Sequence, residues 1–379
     1  MHTKNILITG GAGFIGSRLA LQLLERGHKI RVLDNLAPQI HGINPDASPS
    51  YQTIKGKVDF IHGSVTCRED LIRALSGIDV VVHLAAETGT GQSMYAIQHY
   101  TEVNVGGTVL LLDLIANHPF PVEKIVVASS RAVYGEGKYL CRSHGTVFPD
   151  NRSEKDMSNG DFDVHCPVCK APSTLMPSDE LTPVRPSSVY GITKLTQEQM
   201  VLTVGKSLGI SAIAFRYQNV YGPGQSLSNP YTGILSIFSN RIRNKSHVNI
   251  FEDGKESRDF VFIDDAVAAT ISGIESGNDV CGAFNVGSGK AIDVLEIAST
   301  LQELLGQKVD THVTGQFRVG DIRHNVADLV RIRSLLGFTP RVFIEEGLRQ
   351  FVSWVEGERV HLDRYDESLQ ELSAKGLLK

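Results

Sequence analysis

Several readings are closed off by what this sequence has little of. Five cysteines in 379 residues are too few for a disulfide scaffold and point to a reducing, cytoplasmic setting. No basic excess exists either: 37 Lys and Arg stand against 42 Asp and Glu, a net charge of −5. Such a balance gives no footing for non-specific nucleic-acid binding. No apolar run approaches the roughly 18 residues that a membrane span requires. The opening "MHTKNILITGG" enters a strand-like run directly, without the layout of a signal peptide. Internal repeats and low-complexity tracts are also missing.

What is present is an alternation. The apolar runs "NILITG" (5–10), "KIRVLDN" (29–35), "VDFIHGS" (58–64), "DVVVHLAA" (79–86), "KIVVASS" (124–130) and "ISAIAFRY" (210–217) are separated by helical patterns. In the first of these Ile15, Leu19 and Leu23 recur at i, i+4 and i+8 and the pattern closes at Gly27. Continuous apolar strands alternating with helices predict an α/β fold, a doubly wound parallel sheet of Rossmann type covered on both faces. From about residue 218 the pattern loosens, which predicts a smaller α/β substrate lobe over 218–379. Residues 1–217 form the expected dinucleotide domain, and segments near 258–266 and 283–290 are expected to return to its sheet. Residues 136–187, rich in Pro, Ser, Asp and Cys, break the periodicity and read as an insert.

"TGGAGFIG" places Gly10, Gly13 and Gly16 between a strand and a helix. Gly10 suits the tight turn, Gly13 the approach of a pyrophosphate, and Gly16 close helix–strand packing. The helix N-terminus adds amide donors for phosphate. A glycine triplet alone also fits a plain turn, but Asp34 ends the second strand 18 positions after Gly16. A carboxylate there accepts ribose hydroxyls and repels a 2′-phosphate, which selects NAD over NADP. Further along, "SSVYGITK" sets Tyr190 and Lys194 four apart on one helical face. A lysine ammonium beside a tyrosine is expected to lower the phenol pKa from about 10 toward neutrality, making a general base. Ser130, at the end of "KIVVASS", is expected to face the same cleft and to bridge a substrate oxygen and the tyrosine.

These motifs, with "HLAA", "SSRAVYG", "RYQNVYGPGQ", "SRDFVFIDD", "FNVGSG" and "RVGDIRHNVAD", resemble the extended short-chain dehydrogenase/reductase family of nucleotide-sugar enzymes from about residue 4 to 355. The resemblance implies a Ser130–Tyr190–Lys194 centre and a homodimer joined through two helices per subunit. It implies NAD contacts at Gly10, Gly13, Phe14, Ile15 and Gly16, at Asp34 and Asn35, and at Ser64 and Val65. Leu84, Ala85, Ala86, Asn104 and Gln218 complete that set beside Tyr190 and Lys194. The partner implied is a nucleotide-diphosphate sugar, with Thr90 and Ser130 at the sugar, Asn219, Arg258 and Arg318 at the diphosphate and Asp321 at the nucleotide ribose. Two arginines suit this role because each can take phosphate oxygens bidentately.

Within the family, 4,6-dehydratases carry an acid and a base after the serine. Here Arg131 and Ala132 follow Ser130, and neither exchanges a proton at neutral pH. The expected reaction is therefore 4-epimerisation through a transient 4-keto sugar. "AAETGTGQSMY" and the Cys-rich insert resemble the dTDP-L-rhamnose 4-epimerases of this family, and UDP-glucose/galactose-type 4-epimerases are the near alternative. A non-catalytic, NAD-sensing member is a different class, but such proteins generally lose the tyrosine or lysine, and both are present.

The insert holds Cys141, His144, Cys166 and Cys169, two C-x₂-C/H half-sites separated by 21 residues. The spacing matches a structural zinc knuckle. His165 is an alternative fourth ligand, and a redox pair of Cys166 and Cys169 is the rival reading. A catalytic zinc would keep an open position, whereas this set offers four ligands. His83 in "VVVHLAA" is expected to be a hydrogen-bonded core residue, and Cys67 and Cys281 ordinary buried side chains.

Overall fold

The computed structural model describes residues 3–231 and 233–379. Its centre is a seven-stranded, wholly parallel sheet in the order β13-β9-β5-β4-β1-β2-β3. These strands are β1 (Asn5–Thr9), β2 (Lys29–Asp34), β3 (Asp59–His62), β4 (Val80–His83), β5 (Lys124–Ser130), β9 (Ser211–Tyr217) and β13 (Gly282–Val286). Six of them are the apolar runs read from the sequence. The reason they can be continuous is burial on both faces: one core contains Ile6, Ile8, Val80, Val82 and Val126, and the other Leu7, Val81, Ile125 and Val127. Alternate residues of each strand thus feed opposite layers.

Strand order reverses between β1 and β4, and chain segments leaving the carboxyl ends of β1, β2, β4 and β5 surround one crevice, the usual ligand position in such sheets. The helix Phe14–Glu25 follows β1 with Leu19 and Leu23 fully buried. The helix Val189–Leu208 starts at Ser188, whose hydroxyl accepts the Gly191 N–H at 3.1 Å, and stops at Gly209 in the left-handed region. Between them, residues Thr101–Gly106 form a wide π-helical turn before the helix Gly107–Asn117. Such turns are frequent at functional sites, and the buried residue of this one is Asn104.

The remaining strands are short. In the insert, β6 (Tyr139–Cys141), β7 (Gly145–Val147) and β8 (Thr174–Leu175) form an antiparallel sheet in the order β7-β6-β8. Beyond β9, β10 (Asn219–Tyr221), β12 (Ser257–Phe262) and β14 (Ala291–Asp293) form a second small sheet, and β11 (Val248–Ile250) pairs with β15 (Thr311–Val313). Segment 283–290 meets the main sheet through β13, which pairs with β9. Segment 258–266 does not join that sheet: β12 pairs with β10 and β14, although Phe260–Phe262 and the helix Ile263–Ile274 that follows β12 pack into the same core as the sheet. The chain ends in the helices Ile344–Gly357 and Tyr365–Ala374. Among the described residues no helix is long and apolar enough to cross a membrane.

Candidate active site

A single cavity of about 830 Å³ runs across the carboxyl edge of the sheet. At one end lie Gly10, Gly13, Phe14, Ile15 and Gly16 with Asp34, Asn35, Ser64, Val65, Leu84, Ala85 and Ala86. At the other lie Asn219, Arg258, Arg318 and Asp321. Ser130, Tyr190, Lys194, Thr90 and Gln218 line the stretch between them.

The glycine turn is sterically required. Gly10 has φ +69°, and a Cβ on it would sit 2.7 Å from the Ala85 nitrogen. A Cβ on Gly16 would lie 2.5 Å from the Gly10 carbonyl and 2.6 Å from Gly11 Cα. Gly13 is different: its Cβ would meet only the Gly10 oxygen, at 3.3 Å, so the protein itself leaves that side open. No side chain caps the helix that begins there, and its first amides keep their donor capacity. Asp34 is buried and held by two amides, Ala12 N–H donating to Oδ2 at 3.0 Å and Leu36 N–H to Oδ1 at 2.9 Å. His41, which no sequence pattern marked, sits 3.8 Å from Asp34 and lines the same end. Burial pushes its pKa down, against the opposing pull of Asp34. Ser64 faces the cavity, with its hydroxyl paired to Thr66 at 2.8 Å.

Asn104 is placed differently from the expectation. It does not line the cavity; its Oδ1 accepts the Glu87 N–H at 2.7 Å and its Nδ2 donates to Thr193 Oγ1 at 3.0 Å. It joins the 87–95 loop to the Tyr190 helix. The same junction has a second tie, Tyr190 N–H to Ser93 Oγ at 3.0 Å.

At the centre, Ser130 and Tyr190 share the cavity wall, the Ser130 hydroxyl accepts the Ala132 N–H at 3.2 Å, and Lys194 Nζ lies 6.0 Å from the Tyr190 ring centroid. Lys194 stands beside the phenol, and its own hydrogen bond goes to the backbone. Its ammonium donates to the Ala128 carbonyl at 3.0 Å, and burial draws its pKa down to about 7. Burial raises the Tyr190 pKa, and what opposes the rise is the Ser130 hydroxyl and the charge of Arg131.

Arg131 is the residue that sequence reasoning undervalued. It lines the cavity and donates from Nε to Asn219 Oδ1 at 2.6 Å. Burial and the neighbouring Arg258 lower its pKa to about 10, which still leaves it charged at neutral pH. Arg258 is held in place by the carbonyls of Ser257 and Arg323, each 2.9 Å from Nη1, and of Ile322, 2.8 Å from Nη2. It therefore presents a fixed charge, and its two Nη groups are not a free fork for phosphate. Arg318 is half exposed, donates to Asp321 Oδ2 at 2.6 Å and stacks over Phe251 at 5.0 Å. Asp321 takes Arg258 on its other oxygen at 3.2 Å, and the arginines hold its pKa well below the usual carboxylate range. A second acid, Glu256, lines the cavity too, but burial raises its pKa to about 7 and its Oε2 has no partner. Three guanidiniums thus face one strongly ionised carboxylate, an excess of positive charge suited to a dianion.

The other expectations fall out plainly. His83 is a core residue, hydrogen-bonded to Thr9 at 2.7 Å and Thr108 at 3.0 Å and held neutral, its pKa lowered to about 3 by burial. Cys281 is exposed and Cys67 half-buried, so neither is the buried side chain expected. Cys141, His144, Cys166 and Cys169 do converge, their ligand atoms within 4.8 Å of one another. None of the four lines the cavity. His165 instead pairs with Asp161 at 3.3 Å.

The sequence pattern of the NAD dependent epimerase/dehydratase family matches residues 6–154 and 166–287. A dTDP-L-rhamnose 4-epimerase of Burkholderia thailandensis is 38% identical over 366 residues, 95% of this chain and 96% of that protein. The UDP-glucose 4-epimerase of Thermotoga maritima, solved with UDP-glucose, superposes with a TM-score of 0.73 at 28% identity, over 93% of this chain and 99% of that one. The UDP-glucuronic acid 4-epimerase of Bacillus cereus, solved with UDP-glucuronic acid and NAD, gives a TM-score of 0.75 at 26% identity over the same shares.

Proposed function

Because the chain belongs to the NAD dependent epimerase/dehydratase family, we propose that it is an NAD-dependent isomerase inverting carbon 4 of a nucleotide-diphosphate sugar. The observation that carries this reading is the single cavity with a glycine turn and Asp34 at one end, three arginines at the other, and Ser130, Tyr190 and Lys194 in its wall. The residues fit the cofactor. Gln218 turns a buried amide toward the cavity with neither its oxygen nor its nitrogen partnered, and such groups are costly unless a ligand takes them. Gly13 leaves room for a pyrophosphate over uncapped helix amides, and the Asp34 carboxylate suits ribose hydroxyls.

NAD in that position supplies a hydride acceptor, and later donor, for the sugar carbon. The protein supplies the rest. Tyr190 takes the proton from the 4-hydroxyl, with Ser130 bridging the oxygen and Arg131 favouring the phenolate. Lys194, near neutrality, adjusts its charge to the proton on Tyr190. Arg131, Arg258 and Arg318 hold the diphosphate while the 4-keto sugar turns over, and Asp321 fixes their orientation. The 87–91 loop, with Gly89, Thr90 and Gly91 on the cavity wall, gives the sugar space to turn.

dTDP-L-rhamnose is the favoured substrate, supported by the 38% identical relative. A UDP-hexose is the second reading, favoured by the solved structures. Incubating the protein with dTDP-L-rhamnose and with UDP-galactose, and following carbon 4 by NMR, decides between them. No inversion with either sugar, or with other nucleotide sugars, removes the epimerase reading. The working unit is a homodimer: on the adjoining helices Gly107–Asn117 and Val189–Leu208, Val109 and Ile192 are 46% and 52% exposed, an apolar pair that a second copy would cover. Light scattering at the mass of one chain would remove that part.

A further inference from the structure

The insert is poor in apolar material. Met157 and Phe162 pack outward on Phe317, and the insert's own core is Tyr139, Cys141, Val147, Val164 and Cys166, with Leu175 against them. That is too small to fix a segment of this length without a staple, and two of its five members are cysteines of the Cys₃His set. We propose that this set binds one structural zinc ion, and that the zinc-folded insert braces the arginine cluster of the substrate cavity through Arg152 and Glu136. The bracing half rests on the reading of the cavity given above.

The donor geometry fits. Cys141 Sγ is 3.6 Å from Cys169 Sγ and 3.6 Å from His144 Nδ1, and Cys166 Sγ is 3.6 Å from the same Nδ1. With thiolates at about 2.3 Å and imidazole at about 2.0 Å from zinc, a tetrahedral site has edges of about 3.5–3.8 Å. All five cysteines of the chain are free thiols. The two half-sites are also built alike. Each is followed directly by a left-handed residue, Gly145 at φ +69° and Lys170 at φ +60°. For lysine that conformation is unfavourable, and the turn is closed by the Lys170 N–H on the Cys166 carbonyl at 3.0 Å. Four protein ligands leave no open coordination position, as structural sites do, and the set stands away from the cavity wall.

The link to the cavity is a buried ionic chain. Arg152 of the insert, its side chain 5% exposed, donates to Glu136 Oε1 at 3.0 Å and to both oxygens of Glu252, at 2.8 and 2.9 Å. Its Nη2 also reaches the backbone carbonyl of Asp321 at 3.3 Å. Glu136 accepts the backbone N–H of Arg323 at 2.9 Å, and the Arg323 carbonyl is one of the oxygens that hold Arg258. The insert therefore grips the 321–323 backbone from behind, while Arg258, Arg318 and Asp321 face the cavity from the front. A buried arginine deprived of its carboxylates, or the reverse, is strongly unfavourable. Unfolding the insert would free this segment and disperse the cluster.

The test uses the full chain purified without chelator. Elemental analysis is expected to give about one zinc per chain, and less than a tenth of an equivalent overturns the metal, as does a Cys166–Cys169 disulfide found by thiol titration. Chelation of the wild type, with zinc added back, is then compared with Arg152→Met, which keeps all four ligands. Calorimetric titration with UDP and with dTDP is expected to show affinity at least tenfold weaker in both, restored by zinc only in the first. Unchanged affinity in both overturns the bracing. If the wild type binds neither diphosphate, the cavity reading fails and the bracing with it, and zinc content alone decides the metal.

Discussion

Glu256 is a carboxylate that the fold keeps half-protonated near neutrality, and its removal has a calculable signature. Burial is the main cause of the rise from 4.5 to about 7, opposed by Arg258 and assisted by Glu252 and Asp321. A tenfold change in proton affinity is about 1.4 kcal/mol, so the displacement corresponds to about 3 kcal/mol. Because the folded pKa exceeds the unfolded one, the folded state binds more protons between pH 4.5 and 7, and stability falls as pH rises through that window. Below it Glu256 is protonated in both states and costs nothing; above pH 7 the full cost of burying its charge is present. Glu256→Gln keeps the shape and removes the titration. The variant is expected to match the wild type at pH 4.5 and to be more stable at pH 8 by up to about 3 kcal/mol. At roughly 2 cal/mol/K per residue, 379 residues unfold with an entropy of about 0.8 kcal/mol/K, so the midpoint should rise by about 4 °C. Differential scanning calorimetry at both pH values measures this. An equal difference at the two pH values, or a loss of stability at pH 8, would refute the argument that burial controls this group.

Tyr190→Phe deletes the proton acceptor and should lower kcat by roughly 10²–10⁴, while the absorbance of co-purified NAD stays at the wild-type level; a smaller loss would place the base elsewhere. Arg131→Met removes a charge-assisted hydrogen bond worth about 1.5–3 kcal/mol, so nucleotide-sugar affinity should weaken roughly 10- to 150-fold, read as KM or by calorimetry. Gly16→Ala places a methyl against the backbone of Gly10 and Gly11, which cannot retreat as a side chain would. It should cost about 1–3 kcal/mol in a denaturant titration and abolish retention of NAD.

What the sequence disclosed was what short-range pattern encodes. Strand–glycine–helix spacing located the turn at Gly10–Gly16, and i, i+4 spacing put Tyr190 and Lys194 on one helical face. Ligand spacing in the insert predicted a Cys/His cluster that three-dimensional proximity reproduces. Effects set by long-range contacts were invisible. Arg131 stands next to Ser130, yet its role depends on Asn219, 88 positions away. The sequence argument for Lys194 assumed an aqueous balance of charges, whereas burial shifts both Lys194 and Tyr190 toward their neutral forms. The family resemblance places Asn104 at the cofactor, whereas its side chain, on the π-helical turn, bonds Glu87 and Thr193.

The two ends of the cavity are built on different principles, and under the proposed function the difference follows from what each would hold. The glycine end is fixed by backbone: steric contacts at Gly10 and Gly16 and two amides on Asp34 leave little to reorganise. A cofactor that stays bound through the reaction asks for no more. The arginine end is fixed by side chains in mutual contact, and these need counter-charges to stay in place without ligand. Asp321 supplies one from the front, and Glu252 and Glu136 supply two from behind through Arg152 and Arg323. Buried pairs of this kind add little net stability, so geometry is the better account of their presence. A sugar that must rotate about its diphosphate needs that diphosphate held by groups that do not move with it. A rigid ionic frame anchored outside the cavity meets that condition, whereas flexible surface lysines would turn with the ligand.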